Sequence, residues 1–135
     1  AAEKVPEVLS AIVAGKGSPK PQDESRATFC KKISKADGQI VWSEPADLIA
    51  RKIRAYAGWP GTWTTWNGKI LKIIEGMAVA GAHPAGQAVN VDGKILIGSG
   101  KGSLELLTVQ LEGKKALPIT EFLKGYPKFI GSDFL

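Results

Sequence analysis

Two dipeptides, Asn67-Gly68 and Asp92-Gly93, each stand between short runs rich in β-branched and apolar residues. Both are the residue pairs that a two-residue type I′ hairpin turn demands, because both central positions take positive φ. Such a turn sets the register of its strands. In "TWTTW-NG-KILKIIE" it pairs Trp66 with Lys69, Thr65 with Ile70, Thr64 with Leu71 and Trp63 with Lys72. Alternation then puts Trp66, Leu71 and Ile73 on one face, and Trp63 with Lys72 on the other. The first face is the more apolar and is expected to point inward. "GQAVNV-DG-KILIGS" repeats the device, and "SLELLTVQL" reads as a third long strand. "GSGKGS" has the look of a phosphate loop, but it leads into a strand. A phosphate loop needs a helix N-terminus behind it, so this segment is expected to be a hairpin tip that exposes Lys101. Short strands with glycine turns and two or three short helices predict a mainly β fold, a small barrel.

The helices follow from spacing. In "EKVPEVLSAIVA" (residues 3–14) Val5, Val8, Leu9, Ile12 and Val13 recur at helical intervals. Pro6 falls in the first turn, where its missing N–H costs nothing, and Gly15 and Gly17 end the helix. Its apolar stripe calls for a partner surface. The following stretch is rich in Pro, Ser, Lys and Asp without a sustained period, so it reads as an extended linker. "QIVW" (39–42) is a candidate strand. "SEPADLIARKIRAY" predicts a helix with Ser43 at the N-cap, Pro45 at the first position and a stripe of Leu48, Ile49, Ile53 and Tyr56, leaving Arg51, Lys52 and Arg54 mostly outward. "PITEFLKG" (118–125) predicts a last short helix capped by its glycine, Gly125. The expected organisation is a terminal helix over 1–17, a linker over 18–36 and a barrel domain over 37–135.

Catalytic chemistry is thin. His83, in "AGAHPAG", is the one histidine and reads as a loop residue; no Cys/His set has metal-ligand spacing. The one cysteine, Cys30, fits a reducing compartment and reads as a filler residue. Three tryptophans crowd into eight residues. Trp66 is expected in the core, and Trp59, before Pro60, is expected to plug the barrel end. Trp63 is open between a surface ring and a ring buried under the linker.

Charge is distributed unevenly. Residues 1–47 carry seven Lys/Arg and seven Asp/Glu; residues 48–135 carry eleven against six, so the whole excess of +5 lies there. A basic domain attracts polyanions.

Several segments together resemble one family. "PQDESRATFCKKISKADGQIVWSEPADLIARKIRAYAGWPGTWTTWNGKILKI" and "GSGKGSLELLTVQLEGKKALPITEFLKG" are similar to the linker and C-terminal domain of methionyl-tRNA formyltransferases, with the order of "QDES", "IRA", "WPG", "NGK" and "EGKK" kept. Departures at Cys30, at Val41 and at Ala57-Gly58 concern local packing, and leave room for sister formyltransferases acting on other substrates. The resemblance implies an OB-like barrel that holds initiator methionyl-tRNA. The N-formylation itself falls to a preceding catalytic domain, which uses 10-formyltetrahydrofolate and whose last helix would be residues 1–17. It implies a cytoplasmic protein of translation initiation. This chain is expected to hold no cofactor and to be inactive alone. The residues expected to meet RNA are Lys69, Lys72, Trp63, Lys101, Lys114 and Lys115, with Arg51 and Arg54 on the helix. The other readings are the C-terminal domain of a folate-dehydrogenase or sugar formyltransferase without RNA binding, and a free-standing OB-like module for single-stranded nucleic acid. That last reading needs a row of exposed rings, for which only Trp63 qualifies.

Overall fold

The computed structural model describes residues 2–18 and 20–134; Ala1, Leu135 and Pro19, which falls in the predicted linker, lie outside them. The chain forms two compact units, Ala1–Lys31 and Lys32–Leu135. In the first, helix α1 (Val5–Val13) has Pro in its opening turn. Gly15, at φ +69°, ends it in the left-handed conformation, with its N–H donating to the Ile12 carbonyl and that of Lys16 to the Ala11 carbonyl. The predicted stripe is present: Val5, Val8, Leu9 and Ile12 are each about half exposed, and Val13 is 88% exposed. Beyond it, one 3-10 turn (Glu24–Arg26) interrupts extended chain, and the Asp23 carboxylate accepts from the Ser25 N–H at 3.0 Å.

The second unit is an OB-like sheet of six strands: β1 (Thr62–Trp66), β2 (Lys69–Val79), β3 (Ala88–Val91), β4 (Lys94–Gly98), β5 (Ser103–Leu111) and β6 (Leu117–Pro118). All pairings are antiparallel, in the order β1-β2-β5-β4-β3, with β6 on β5. Both predicted hairpins are present. Asn67 and Gly68 have φ of 49° and 72°, and Asp92 and Gly93 have 50° and 81°, as a type I′ turn requires. Trp66 pairs with Lys69 and Trp63 with Lys72, in the expected register. "GSGKGS" is the tip between β4 and β5.

β1 and β3 are the two ends of the strand path, and the C-terminal segment joins them. Ala88 on β3 donates to the Ser132 carbonyl at 3.0 Å and accepts from the Gly131 N–H at 2.8 Å. On β1, the Trp66 indole N–H donates to the Ser132 hydroxyl at 2.9 Å. Helix α3 (Ile119–Gly125) and the turn Pro127–Phe129 bring Phe122 and Phe129 into the same core, with Leu71, Ile73, Ile97, Leu104 and Val109 from the strands.

Helix α2 (Ala46–Ala55) covers β2. It buries Ala46, Ile49, Ala50 and Ile53, while Leu48 and Tyr56 are only half-buried. The buried stripe is thus rotated towards the alanines. Their small side chains let the helix axis approach the sheet closely, and Gly76 of β2 lies where a methyl would meet Ile53 Cδ1 at 3.4 Å and the Glu105 carbonyl oxygen at 3.0 Å.

Four local expectations are corrected. Ser43 does not cap α2: the helix starts at Ala46, Pro45 holds the cap position, and the Ala46 N–H donates to the Lys101 carbonyl at 3.0 Å. The tertiary contact satisfies the donor that a serine hydroxyl would have taken. "QIVW" is no strand. It makes a single bridge, Gln39 to Trp63, and then turns so that Ile40 and Trp42 enter the core. Gly125 lies inside α3, whose C-cap is Tyr126. Trp59 does not plug the barrel: it is 60% exposed, and the aromatic rings in the core are Trp42, Trp66, Phe122, Phe129 and Phe134.

Lys52 does not simply point outward. Its ammonium lies 2.7 and 2.6 Å from the two carboxylate oxygens of Glu44, both side chains being about a quarter exposed. We expect Glu44→Gln to cost about 0.5–1 kcal/mol in a urea titration. No change in the midpoint would show that the pair contributes nothing.

Candidate nucleic-acid interface

The strand register sorts the basic residues into two sets. Lys69 follows the β1–β2 turn, and Lys72 lies opposite Gln110 of β5. The loop after β5 folds back beside them. Glu112 donates its N–H to the Ile70 carbonyl at 2.8 Å, and its carboxylate accepts from the Ile70 N–H at 3.0 Å. The Gln110 side-chain amide donates to the Lys114 carbonyl at 2.9 Å. Lys69, Lys72, Lys114 and Lys115 therefore lie at one end of the β2–β5 pair, all exposed, with Lys69 on the Trp66 face and Lys72 on the other; Lys72 borders a small cleft of about 240 Å³ with Ile70, Gln110 and Glu112.

Trp63 lies on the face away from Trp66, since the core side of β1 carries Thr62, Thr64 and Trp66, all buried. Its ring is half-buried and its N–H donates to the Lys35 carbonyl at 3.2 Å. The turn Lys35–Gly38 packs close by: a methyl on Gly38 would come within 3.3 Å of the Trp63 Cδ1 and overlap the Gly61 carbonyl. Both sequence alternatives are partly realised. One flank of the ring is covered, and the ring still pairs across the strand with exposed Lys72.

Lys101 does not join this end. It sits beyond Ser103, at the other end of a nine-residue strand, roughly 26 Å of chain away at about 3.3 Å per residue. The tip is held there because the Gly100 N–H donates to the carbonyls of Trp42 and Glu44 at 2.9 and 3.1 Å. Lys101 instead borders a cleft of about 360 Å³ with Ala46, Asp47 and Val79. A second cleft, of about 480 Å³, shares Asp47 and Ala78 with it and is bordered by Arg51, Arg54 and exposed Met77. Three cations and one carboxylate thus border the two adjoining clefts along the seam between α2 and β2. The Arg51 guanidinium Nε donates to the Asp47 carbonyl at 3.3 Å, which steadies one of them. Sequence reasoning missed Asp47 and Met77 as members of this seam. The only signal available was an acidic residue in the first turn of a helix, which ordinarily answers to the helix dipole.

Among the described residues no group of three or more His, Cys, Asp or Glu side chains could hold a metal ion. His83 is half-buried in the loop before β3, whose chain packs against Gly98.

The fold and this surface define a class: a small OB-like β domain with exposed basic residues at both ends of its long β2–β5 pair. The family model for the formyl transferase C-terminal domain matches residues 32–127, and the chain belongs to that family. Similar curated relatives are named methionyl-tRNA formyltransferase. That of Roseiflexus castenholzii (strain DSM 13941 / HLO8) is 42% identical over 127 residues, covering 92% of this chain and 41% of the relative. That of Dehalococcoides mccartyi is 39% identical over 116 residues, covering 84% and 37%. The chain therefore spans about two fifths of the length of the curated relatives it matches. Among solved structures, HypX from Aquifex aeolicus in complex with tetrahydrofolic acid superposes with a TM-score of 0.64 over 97% of this chain and 24% of that one. At 20% identity that likeness shows the fold alone. No helix among the described residues is long and apolar enough to cross a membrane.

Proposed function

We propose that this domain holds initiator methionyl-tRNA for a formyltransferase. A catalytic domain of the same protein then transfers the formyl group from 10-formyltetrahydrofolate to the methionyl amino group in the cytoplasm. The observation that carries the reading is the placement of the charge. In a family whose similar members are named methionyl-tRNA formyltransferase, Lys69, Lys72, Lys114, Lys115, Lys101, Arg51 and Arg54 are all exposed, while the apolar residues of the same strands form the core. Exposed lysines and arginines on a rigid barrel suit contact with phosphates and with the shape of a folded RNA, rather than the reading of base edges.

The physical role of each group follows. The lysines supply point charges that displace counterions from phosphates. Arg51 and Arg54 are three residues apart on α2, so they share a helix face and can contact neighbouring phosphate oxygens. Trp63 offers one edge of a ring beside the Lys72 ammonium, a combination that meets a ribose or an unstacked base. The formyl donor is assigned to the catalytic domain; the two clefts along α2 are open and bordered by Asp47, small and apolar residues and cations.

The test is a titration of the 135-residue chain with formylatable initiator tRNA and with an elongator tRNA across a salt series. The expected result is salt-dependent binding, with each phosphate contact contributing roughly −0.7 to −0.9 to the slope of log affinity against log salt. Lys72→Glu should weaken it and lower the slope by about one while leaving the thermal unfolding midpoint in place. Affinity that is flat with salt, or no binding of either RNA, would move the assignment to a sister formyltransferase that uses the barrel without RNA.

A further inference from the structure

Resting on the tRNA reading, we infer that the RNA is held at two separate anchors, one at each end of β2, and must bridge them. β2 carries both. Lys69 and Lys72 lie at its start, with Lys114 and Lys115 beside them across the Ile70–Glu112 hydrogen bonds. Met77 and Ala78, near its end, border the cleft that holds Arg51 and Arg54, and Ala78 and Val79 border the adjoining cleft of Lys101. From Lys69 to Met77 is eight residues, roughly 26 Å of extended chain. Lysine and arginine side chains are too short to close the gap from Lys69, so the phosphates met by Lys69 are not those met by Arg51 and Arg54; Lys72, five residues and roughly 16 Å from Met77, is the inner edge of its anchor.

The surface between the anchors is built for passage rather than grip. β1 pairs with β2 only as far as Ile73, so from Ile74 onward β2 has β5 as its one strand neighbour. Ile74 and Met77 are exposed there, and the side chain of Glu75 accepts a hydrogen bond from Thr108 at 2.8 Å instead of meeting a cation. A polyanion lying along this strand meets four lysines with one carboxylate, Glu112, at one end, three cations with one carboxylate, Asp47, at the other, and the Glu75 carboxylate between them. That pattern favours an RNA stem whose backbone approaches the domain, arches away and returns. At about 2.8 Å of rise per base pair in an A-form stem, bridging takes a stem of roughly nine base pairs or more.

The probes are two plain RNA stem-loops, one with a stem of sixteen base pairs and one with five, and the variants are Lys69→Glu/Lys72→Glu and Arg51→Glu/Arg54→Glu. Thermal unfolding of each variant first establishes that the barrel is intact. On the long stem each pair of reversals should weaken binding, lower the salt slope by roughly two, and combine with the other multiplicatively. On the short stem either pair alone should change affinity by no more than about twofold, because the other anchor still offers a complete site by mass action. The four-residue variant should lose the short stem altogether. If one pair of reversals weakens both stems equally while the other is silent, a single anchor holds the RNA and the bridging inference is overturned. Equal salt slopes for the two stems with the wild-type chain would overturn it as well. If initiator tRNA binds with a salt slope but neither stem does, the tRNA reading stands and the two-anchor stem falls. If no RNA binds at all, both fall together.

Discussion

Trp66→Ala should cost about 3–5 kcal/mol, a large part of what a domain of this size has to lose. The ring lies 5.8 Å from Phe122, 5.6 Å from Tyr126 and 5.3 Å from Phe129 between centroids, each in an edge-on arrangement. Edge-to-face contacts of this kind add to the burial of the ring itself. Trp66 also supplies the indole N–H that binds Ser132, so it ties β1 to the segment that reaches Ala88 on β3. Truncation would leave a cavity at the join between the two ends of the sheet, together with a hydroxyl stripped of one donor. The expected reading in a thermal melt is a fall of more than roughly 10 °C. Trp59→Ala is the control: its ring is 60% exposed, and stability should change by less than about 0.5 kcal/mol. Equal losses for the two variants would mean that the aromatic join does not hold the barrel closed.

Gly98→Ala is the second large effect. Gly98 ends β4, is buried, donates its N–H to the Gln87 carbonyl at 3.1 Å and accepts from the Gly86 N–H at 2.9 Å. A methyl there would overlap the carbonyl oxygens of Pro84 and His83, and both are backbone, so no side chain can swing aside. The cost should be about 3 kcal/mol, as for an overpacked core position. Gly93→Ala offers an instructive contrast. Nothing stands within 4 Å of the added methyl, and only the φ of 81° resists it, so about 1 kcal/mol is expected. Urea titration of both variants separates the two mechanisms: a Gly98→Ala loss no larger than that of Gly93→Ala would show that the loop before β3 yields freely.

Both hairpins were legible in the sequence because a type I′ turn is a local object. Asn67-Gly68 and Asp92-Gly93 specify their own φ angles, and a two-residue loop leaves one register for the strands it joins. The same locality explains why Trp66 and Trp63 could be assigned to opposite faces: the pleat alternates whatever lies beyond it. Helix α1 and the body of α2 were likewise readable, since their spacing is a property of consecutive residues. The overall charge, and its concentration after residue 47, also belong to the sequence alone.

What the sequence left open depends on residues far apart in the chain. Trp59 is outside, and the rings that pack beside Trp66 and Trp42 in the core are Phe129 and Phe134, some seventy residues later. Pro45 rather than Ser43 precedes α2 because the Lys101 carbonyl reaches its first N–H. The basic residues divide because β5 is long and its two ends carry different loops, one folded onto Ile70 and the other held under Trp42 and Glu44. A turn closes over a few residues and its geometry is set by their own dihedral preferences. The placement of one loop against another is set by which buried faces can be satisfied together, and only the assembled sheet decides that.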